Sequence, residues 1–287
     1  SLLASRALFG LCVATLMIVS TSLVGDYFKE HDRHKFMGYQ SAFMAIGGVF
    51  FVVGGGFLSD INWRFPLGIY FIGLVLLPFV ILFLKEKKIE STQEELSIDI
   101  GKNMLVVYFL AFIYMLLFFI LPTQIPFLLI EKFEASGKMA GTVIATAFFC
   151  NALGAIAFSK LKKYLNFIAI YLIGITLMAL GFSLVGVINH IYFFFITSPI
   201  LGFAGGIMMT NVTAWMLSKT SHEKRVKSSG YFTSAIFLGQ FLSPVLFHPI
   251  IDNMSDIQNF FSLIGAFLFV IVFVIIVISK KSKPLKS

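Results

Sequence analysis

Charged residues are scarce in this chain of 287 residues, at 13% of the total. Soluble proteins carry about 25% charged residues, because a folded surface must stay hydrated. The scarcity therefore excludes an ordinary water-soluble domain, and the hydrophobic content of 58% excludes intrinsic disorder, which needs low hydrophobicity and high charge. Only two cysteines are present, Cys12 and Cys150, and both lie in apolar runs, so the sequence predicts no disulfide framework.

Sequence patterns that support enzymatic chemistry are lacking as well. No glycine-rich loop with a following Lys and Ser/Thr is present to bind nucleotide phosphates. No Ser, His and acid set is legible, and no second His or Cys stands at helical spacing from His248 to form a metal site. We therefore predict that the protein is not an enzyme and that it uses no cofactor or metal.

What the chain does have is long apolar runs and a mean hydropathy of +0.93. Nine stretches approach or exceed the length of about 20 residues that crosses a bilayer as a helix. Runs such as 269–274 do not alternate apolar and polar residues, as the strands of a membrane barrel do. The sequence thus predicts an all-α polytopic membrane protein. Its nine predicted spans are 2–23, 37–58, 66–84, 104–130, 138–159, 166–188, 191–217, 229–251 and 258–279.

The 22 Lys and Arg residues predict the orientation of these spans. Most of them fall in alternate connections, which by the positive-inside rule face the cytoplasm. The C-terminus, with its basic tail 280–287, is then cytoplasmic. The net charge of +8 is divided among short loops rather than gathered on one face, so a nucleic-acid partner is not predicted. The basic connections are 24–36, 85–103, 160–165, 218–228 and 280–287.

The spans fall into three groups of three, and 85–103 forms a long polar loop between the first group and the other two. In each group the third span is the least polar, which indicates that it faces lipid while the others enclose a polar interior. Three-helix repeats are typical of transporters. Three groups plus a central loop lead us to expect a fourth group before Ser1, hence twelve helices in all.

Three motifs carry a resemblance to a known family. Residues 6–10, Arg-Ala-Leu-Phe-Gly, fit an R-x-x-x-G pattern, and residues 62–66 fit a W-R-x-P-type lead into a helix. Between them, four glycines follow the spacing of a glycine-rich helix. Together with the number of spans, these motifs resemble helices four to twelve of the major facilitator superfamily. The four glycines are Gly38, Gly47, Gly55 and Gly56.

The resemblance implies two six-helix bundles that rock around a central cavity. Residues 1–84 would be the second half of the N-terminal bundle, 85–103 the central cytoplasmic loop and 104–279 the C-terminal bundle. The implied function is export of small, fairly apolar solutes or drugs by alternating access, coupled to protons by antiport, in the bacterial inner membrane. The expected partners are a small-molecule substrate, membrane lipid and protons, and the protein is expected to be monomeric.

Two other functions stay open. Phe51 and Val52 stand where a Gly-Pro pair associated with antiporters is usual, so symport of a sugar or an organic acid is an alternative. A non-transporting membrane receptor or scaffold of the same fold is another.

Arg6 lies inside the first predicted span, and an arginine costs about 2.5 kcal/mol or more near the centre of a span. The resemblance implies a role in proton transfer or anion attraction, and snorkelling to the interface is the alternative. No Asp or Glu lies in an apolar core. Either the coupling acid lies upstream of Ser1, or the protein is not coupled to protons.

Uncharged polar residues inside the spans are the candidates for a substrate path. Residues four or seven apart share a helix face, and Gln124 lies between Pro122 and Pro126, where a helix is expected to break. The alternative is helix–helix hydrogen bonding. The candidates are Gln124, Thr142, Thr146, Asn151, Asn211, Thr233, Gln240 and Ser243.

Glycines within the spans allow close helix approach and are the candidates for packing and gating contacts. These are Gly10, Gly38, Gly47, Gly55, Gly56, Gly205 and Gly206.

Overall fold

The computed structural model describes residues 2–28, 30–62, 64–83, 102–221 and 224–281, and within them it contains helices and no strand. The helices are α1 (Leu2–Tyr27), α2 (Glu30–Ile61), α3 (Ile72–Phe83), α4 (Lys102–Phe118), α5 (Ile120–Phe127), α6 (Gly137–Tyr164), α7 (Phe167–Val187), α8 (Phe194–Ser218), α9 (Arg225–Asp252) and α10 (Ile257–Lys281).

Short helical segments join some of these helices into single crossings. A 3-10 segment, Phe65–Phe71, leads into α3, and another, Ile191–Phe193, leads into α8. Helices α4 and α5 and the π-helical segment Leu128–Lys132 together form one interrupted crossing. In the described part of the chain, the helices thus group into nine crossings, which agrees with the number that the sequence predicts. Six continuous helical stretches are long and apolar enough to span a membrane, and Leu8–Val24 and Leu67–Leu82 are shorter apolar stretches, among the residues described.

Proline explains the break in the α4–α5 crossing. The ring of a helical proline clashes with the carbonyl group four residues earlier, and proline has no N–H to donate. Four residues before Pro122 is Phe118, the last residue of α4. The break therefore lies at Phe119, whereas Gln124, where the sequence led us to expect it, lies within the helical turns of α5.

Polar residues in the turns fix where two helices begin. The Ser136 hydroxyl accepts a hydrogen bond from the N–H of Met139 (3.2 Å) at the start of α6. The Asn166 side-chain oxygen accepts one from the N–H of Ala169 (2.8 Å) at the start of α7. Each satisfies a backbone donor that the first turn of a helix leaves unpaired.

The crossing of α6 and α8 is the tightest contact in the fold. A Cβ atom placed on Gly202 or Gly206 would overlap the carbonyl oxygen of Ala147 or Asn151, and one on Gly154 would overlap that of Phe203. Helices in a membrane gain no hydrophobic driving force from association, so small residues that allow close backbone approach stabilise them. We call this contact the α6–α8 crossing.

Helices α7 and α10 pair through reciprocal glycine and serine contacts. A Cβ on Gly186 would overlap Ser262, and one on Gly265 would overlap Ser183. The Gln258 amide also donates to the carbonyls that end α7. Helices α3 and α10 expose many large apolar side chains, as expected of lipid-facing helices, whereas α7 has one side buried against its neighbours.

We call α1–α3 the first half and α4–α10 the second half. Most of the predicted central loop 85–103 and the tail residues 282–287 lie outside the described residues. The basic end of the molecule is the end at which α1 ends at Tyr27, α2 begins at Glu30, α6 ends at Tyr164 and α9 begins at Arg225. The other end is called the opposite end.

Candidate functional site

The two halves meet along a contact that we call the seam. In its first part α2 packs on α6. A Cβ atom on Gly38 would lie 2.8 Å from the carbonyl oxygen of Ala155, so only glycine fits there without displacement. Ala42 and Ala45 on α2 and Ala152 and Ala155 on α6 are buried together. The spacing of three residues within each pair places its two alanines on one helix face.

In the second part of the seam α1 meets α9. The Ser22 hydroxyl donates to the Ser229 hydroxyl (3.2 Å), and both side chains are buried. A Cβ on Gly230 would lie 4.0 Å from Ile18, which is ordinary van der Waals contact. Ser22 and Ser229 were not among the candidates from sequence, because each lies at the end of its span beside a basic loop.

The described contacts of the seam lie toward the basic end. Gly48, near the middle of α2, has the ring of Phe148 3.8 Å from where its Cβ would be. Beyond that point, toward the opposite end, no described atom lies within 4 Å of a Cβ on Gly54 of α2 or Gly141 of α6. The described contacts between α2 and α6 therefore run from the basic end to about the middle of the membrane. The α2 positions that would continue this face, Val52, Gly55 and Gly56, lie outside the described side chains, and we call the side beyond Gly48 the open side of the seam.

Thr142 and Thr146 of α6 share one face, and each bonds its own helix. The Thr142 hydroxyl donates to the Lys138 carbonyl (2.8 Å), and that of Thr146 donates to Val143 (2.7 Å). A hydroxyl that donates in this way keeps its oxygen available as an acceptor. Thr142 is exposed and adjoins Gly141, on the open side of the seam.

The two asparagine candidates lie at helix contacts within the second half. Asn211 is completely buried, and its amide nitrogen donates to the Phe167 carbonyl (3.0 Å) at the start of α7. Asn151 is 9% exposed, and its amide nitrogen lies 2.9 Å from where a Cβ on Gly205 would be. For both residues these positions favour the helix–helix role that the sequence left open.

Several buried hydroxyl groups have no such partner. The hydroxyls of Thr197 and Ser198 on α8 and of Ser243 on α9 lack any hydrogen-bond partner among the described residues. Leaving a buried polar group unsatisfied costs about 1–3 kcal/mol. Such groups are suited to meet water or a polar atom of a solute. Thr197 and Ser198 were not among the candidates from sequence.

The other polar candidates lie on α5 and α9. Gln124 is buried within α5, Thr233 is buried on α9, and Gln240 is half-buried one turn before Ser243. The side chain of Arg6, on α1, lies outside the part of the structure that is described.

The glycine candidates divide into two groups. Gly38 lies in the seam, and Gly205 and Gly206 lie in the α6–α8 crossing. Among the described residues, a Cβ on Gly10 would have no neighbour within 4 Å, and one on Gly47 would meet only Phe51 of its own helix. The structure thus assigns no packing contact to these two. The surroundings of Gly55 and Gly56 lie outside the described side chains.

A pocket of about 470 Å³ opens at the basic end of the seam. Its cationic residues come from both halves, with Lys35 on α2 and three lysines on α6. Asp32 is the only carboxylate among the described residues that line it. In the sequence these lysines served only to orient the chain. The lining residues are Asp32, His34, Lys35, Tyr39, Ile156, Ser159, Lys160, Lys162 and Lys163.

A second cavity, of about 720 Å³, is a groove within the second half between α4, α7 and α10. Its lining is apolar, and the Tyr171 hydroxyl at its edge already donates to the Leu110 carbonyl (2.8 Å). The groove offers no free polar group to a solute and lies apart from the seam.

Comparison with known proteins identifies the family. The model of the Major Facilitator Superfamily matches residues 1–106 and 107–287. The crystal structure of the human organic anion transporter MFSD10 (TETRAN) matches with a TM-score of 0.75 and 16% sequence identity, over 90% of this chain and 67% of that one. No curated protein matches the chain. Since the family model covers both halves, this chain belongs to the major facilitator superfamily.

Proposed function

We propose that this protein exports small, fairly apolar solutes by alternating access, with protons as the exchanged ion. The family and the fold are those of secondary transporters, which move a small molecule across a membrane. The direction, the coupling ion and the solute class are our proposals. The observation that supports them is a seam whose described contacts lie toward one end.

A one-ended contact between two halves is what alternating access requires of one end state. The contacts across the seam are also separable. Among the described residues they include small side chains, one hydroxyl–hydroxyl bond, which in a membrane contributes about 0.6 kcal/mol on average, and the ring of His34 against Phe158 and Phe167. If the basic end faces the cytoplasm, as its lysines indicate, the structure represents a state closed to the cytoplasm and open outward.

The solute path would run along the open side of α6, α8 and α9. Thr142, Thr146 and Gln240 would supply isolated polar contacts in an otherwise apolar wall, with the buried, unpartnered hydroxyls of Ser198 and Ser243 behind it. A few polar groups among many apolar ones suit a fairly apolar solute. Gln124, on the broken crossing, would move with the gate.

Arg6 is the charged group that we place in coupling. All Asp and Glu residues of the sequence lie outside the apolar cores. Within this chain, the residue that senses the exchanged proton in the membrane would therefore be a cation, Arg6. An arginine stays charged at physiological pH and acts through its field.

Uptake of an organic acid is the second candidate. MFSD10, which shares the fold, is an organic anion transporter, and an arginine within a span attracts anions. The two candidates predict opposite responses to an imposed pH gradient. An antiporter moves its solute in the direction opposite to the proton flow, and a symporter moves it in the same direction.

The seam can be tested by locking it. In a Cys12→Ser/Cys150→Ser background, Ser22→Cys and Ser229→Cys would place two thiols where the hydroxyls now lie 3.2 Å apart. In proteoliposomes, flux of a lipophilic dye and of a small organic acid would be measured with an imposed pH gradient of either sign. We expect oxidation to abolish saturable flux and reduction to restore it.

The matched control pairs Ser22→Cys with Ser234→Cys, an exposed position further along α9. Oxidation should leave its flux unchanged. Full flux through the cross-linked protein would contradict the gate. A reduced protein that moves neither probe, while it remains folded, would instead favour the receptor or scaffold.

A further inference from the structure

The basic pocket at the seam places cations of both halves around one cavity. Lys35 belongs to α2, whereas Lys160, Lys162 and Lys163 belong to the last turns of α6. Closing the basic end brings these like charges together, which opposes closure. Asp32 is the only described carboxylate in the lining, so the charges of the described lining residues do not balance.

The ammonium groups of two of these lysines also contact aromatic rings. The Lys162 ammonium lies 4.3 Å from the ring centroid of Phe167, and that ring is stacked on Trp215 at 5.6 Å. The Lys35 ammonium lies 5.8 Å from the centroid of the Tyr39 ring, which also lines the pocket. These aromatic contacts keep positive charge at the cavity wall when the seam is closed.

We propose that this pocket binds a phosphate group and that the bound phosphate holds the basic end of the seam closed. Lysines bind phosphate as point charges and need no fixed geometry. A volume of about 470 Å³ accommodates a phosphate together with its hydration shell or a headgroup. Because the lysines are divided between the halves, a phosphate contacts all of them only in the closed state, and a ligand stabilises the state that it binds better.

The phosphate could come from an anionic lipid headgroup or from free phosphate, since the pocket lies at the membrane surface. Phosphate binding itself requires only the pocket. The effect on the gate rests on the proposed alternating access.

The test follows the distance between the halves in nanodiscs. Spin labels are placed at Phe43→Cys on α2 and Tyr164→Cys on α6, in the Cys12→Ser/Cys150→Ser background. Both positions are exposed, and neither lines the pocket. The ratio of short to long distances is compared in phosphatidylcholine, in phosphatidylcholine with phosphatidylglycerol, and in phosphatidylcholine with inorganic phosphate.

We expect phosphatidylglycerol, inorganic phosphate or both to raise the closed-to-open ratio about tenfold, on the basis of about one to two lysine–phosphate contacts near a membrane surface. The Lys35→Gln/Lys160→Gln/Lys163→Gln variant should lose this rise. A rise with the lipid alone identifies the headgroup as the source, and a rise with inorganic phosphate alone identifies the free ion. No rise with either probe would overturn the proposal.

The matched control, Lys219→Gln/Lys224→Gln/Lys227→Gln, removes the same charge at the same end but outside the pocket. It should keep the full rise, and losing it would show that general surface charge is responsible. If the distance is single and fixed in every condition, alternating access fails, and the pocket is judged separately by retention of phosphatidylglycerol in native mass spectrometry. The pocket variant should then retain about tenfold less lipid, and equal retention would overturn the site.

Discussion

The α6–α8 crossing and the seam are both built from small residues, but they differ in how closely the backbones approach. In the crossing, three glycines face backbone carbonyls so closely that even a Cβ atom would overlap them. In the described part of the seam, only Gly38 has a carbonyl within 3 Å of a Cβ position.

This difference in backbone approach indicates that the α6–α8 crossing is a fixed scaffold, whereas the seam is a contact that can open. Three backbone-to-backbone contacts in succession leave little room for an intermediate arrangement, because packed interiors resist deformation. The alanine faces and the serine pair of the seam contact through side chains, which water or lipid can replace when the halves part. The second half is therefore expected to move as one body, with the seam as the place where it moves.

The largest effect is expected at the α6–α8 crossing. Gly206→Ala forces a methyl group against the Asn151 carbonyl, and overpacking of this kind costs about 1–3 kcal/mol. Thermal unfolding in detergent should show the loss. Gly141→Ala, on α6 with no described atom near its Cβ position, is the control and should be neutral or slightly stabilising. Equal stability of the two variants would remove the distinction between the crossing and the seam.

A second change of glycine tests the seam. Gly38→Leu should push α2 away from Ala155, and because the seam can open, the protein should respond by opening rather than by unfolding. We expect the closed-to-open ratio to fall about tenfold, which corresponds to about 1.4 kcal/mol. Spin-label distances would report the ratio, while the unfolding temperature should change less than in Gly206→Ala. If Gly38→Leu lowered the unfolding temperature without changing the spin-label distances, the seam would be part of the fixed scaffold.

Asn211 tests whether a polar residue of the second half belongs to the scaffold or to the solute path. Asn211→Ala removes the bond to the Phe167 carbonyl and should destabilise the protein by about 0.6–1.7 kcal/mol. The apparent affinity for a transported solute should not change. Asn259→Ala, at an exposed position, serves as the control. If the variant changed the affinity for the solute but not the stability of the protein, Asn211 would belong to the solute path.

The smallest effect is expected at the ion pair between Lys132 and Asp256, which ties two loops of the second half together at the opposite end. The hydrogen bond from Lys132, and then that from the Gln258 N–H, lower the pKa of the Asp256 carboxyl. A lowered pKa stabilises the fold above the unfolded-state pKa of about 3.9, and the gain is lost as pH falls through the folded value.

Asp256→Asn should therefore lose about 0.2–1 kcal/mol at pH 7, as is usual for exposed pairs. Wild type and variant should converge in strongly acidic buffer when unfolding is followed by temperature. A difference that grows on acidification would show that the pair does not act through its charge.

Much of the fold could be predicted from the sequence. Long apolar runs determine nine crossings because a bilayer admits helices of that length, and Pro122 marks the broken one. The polar candidates were harder to assign, because Asn211 and Thr142 have the same chemical character in the sequence. Only packing shows that Asn211 bonds the start of α7 while Thr142 lies on the open side of the seam.

The glycines show the same limit. Gly206 and Gly10 are both glycines in apolar helices, yet one lies against a carbonyl and the other has no described neighbour within 4 Å. Sequence periodicity identifies a helix face but not what lies opposite. The small residues at Gly38, Ala42 and Ala45 had a readable spacing, and their partners on α6 did not follow from it.

The scarcity of charge by itself determined that this chain is a membrane protein, because so few charges cannot hydrate a folded surface. The distribution of its lysines determined the predicted orientation. Only the tertiary structure decided that Lys35 and the α6 lysines share one pocket, and that the halves close at that end. Those outcomes depend on which helix faces meet, and residues from distant parts of the chain come together only when the helices pack.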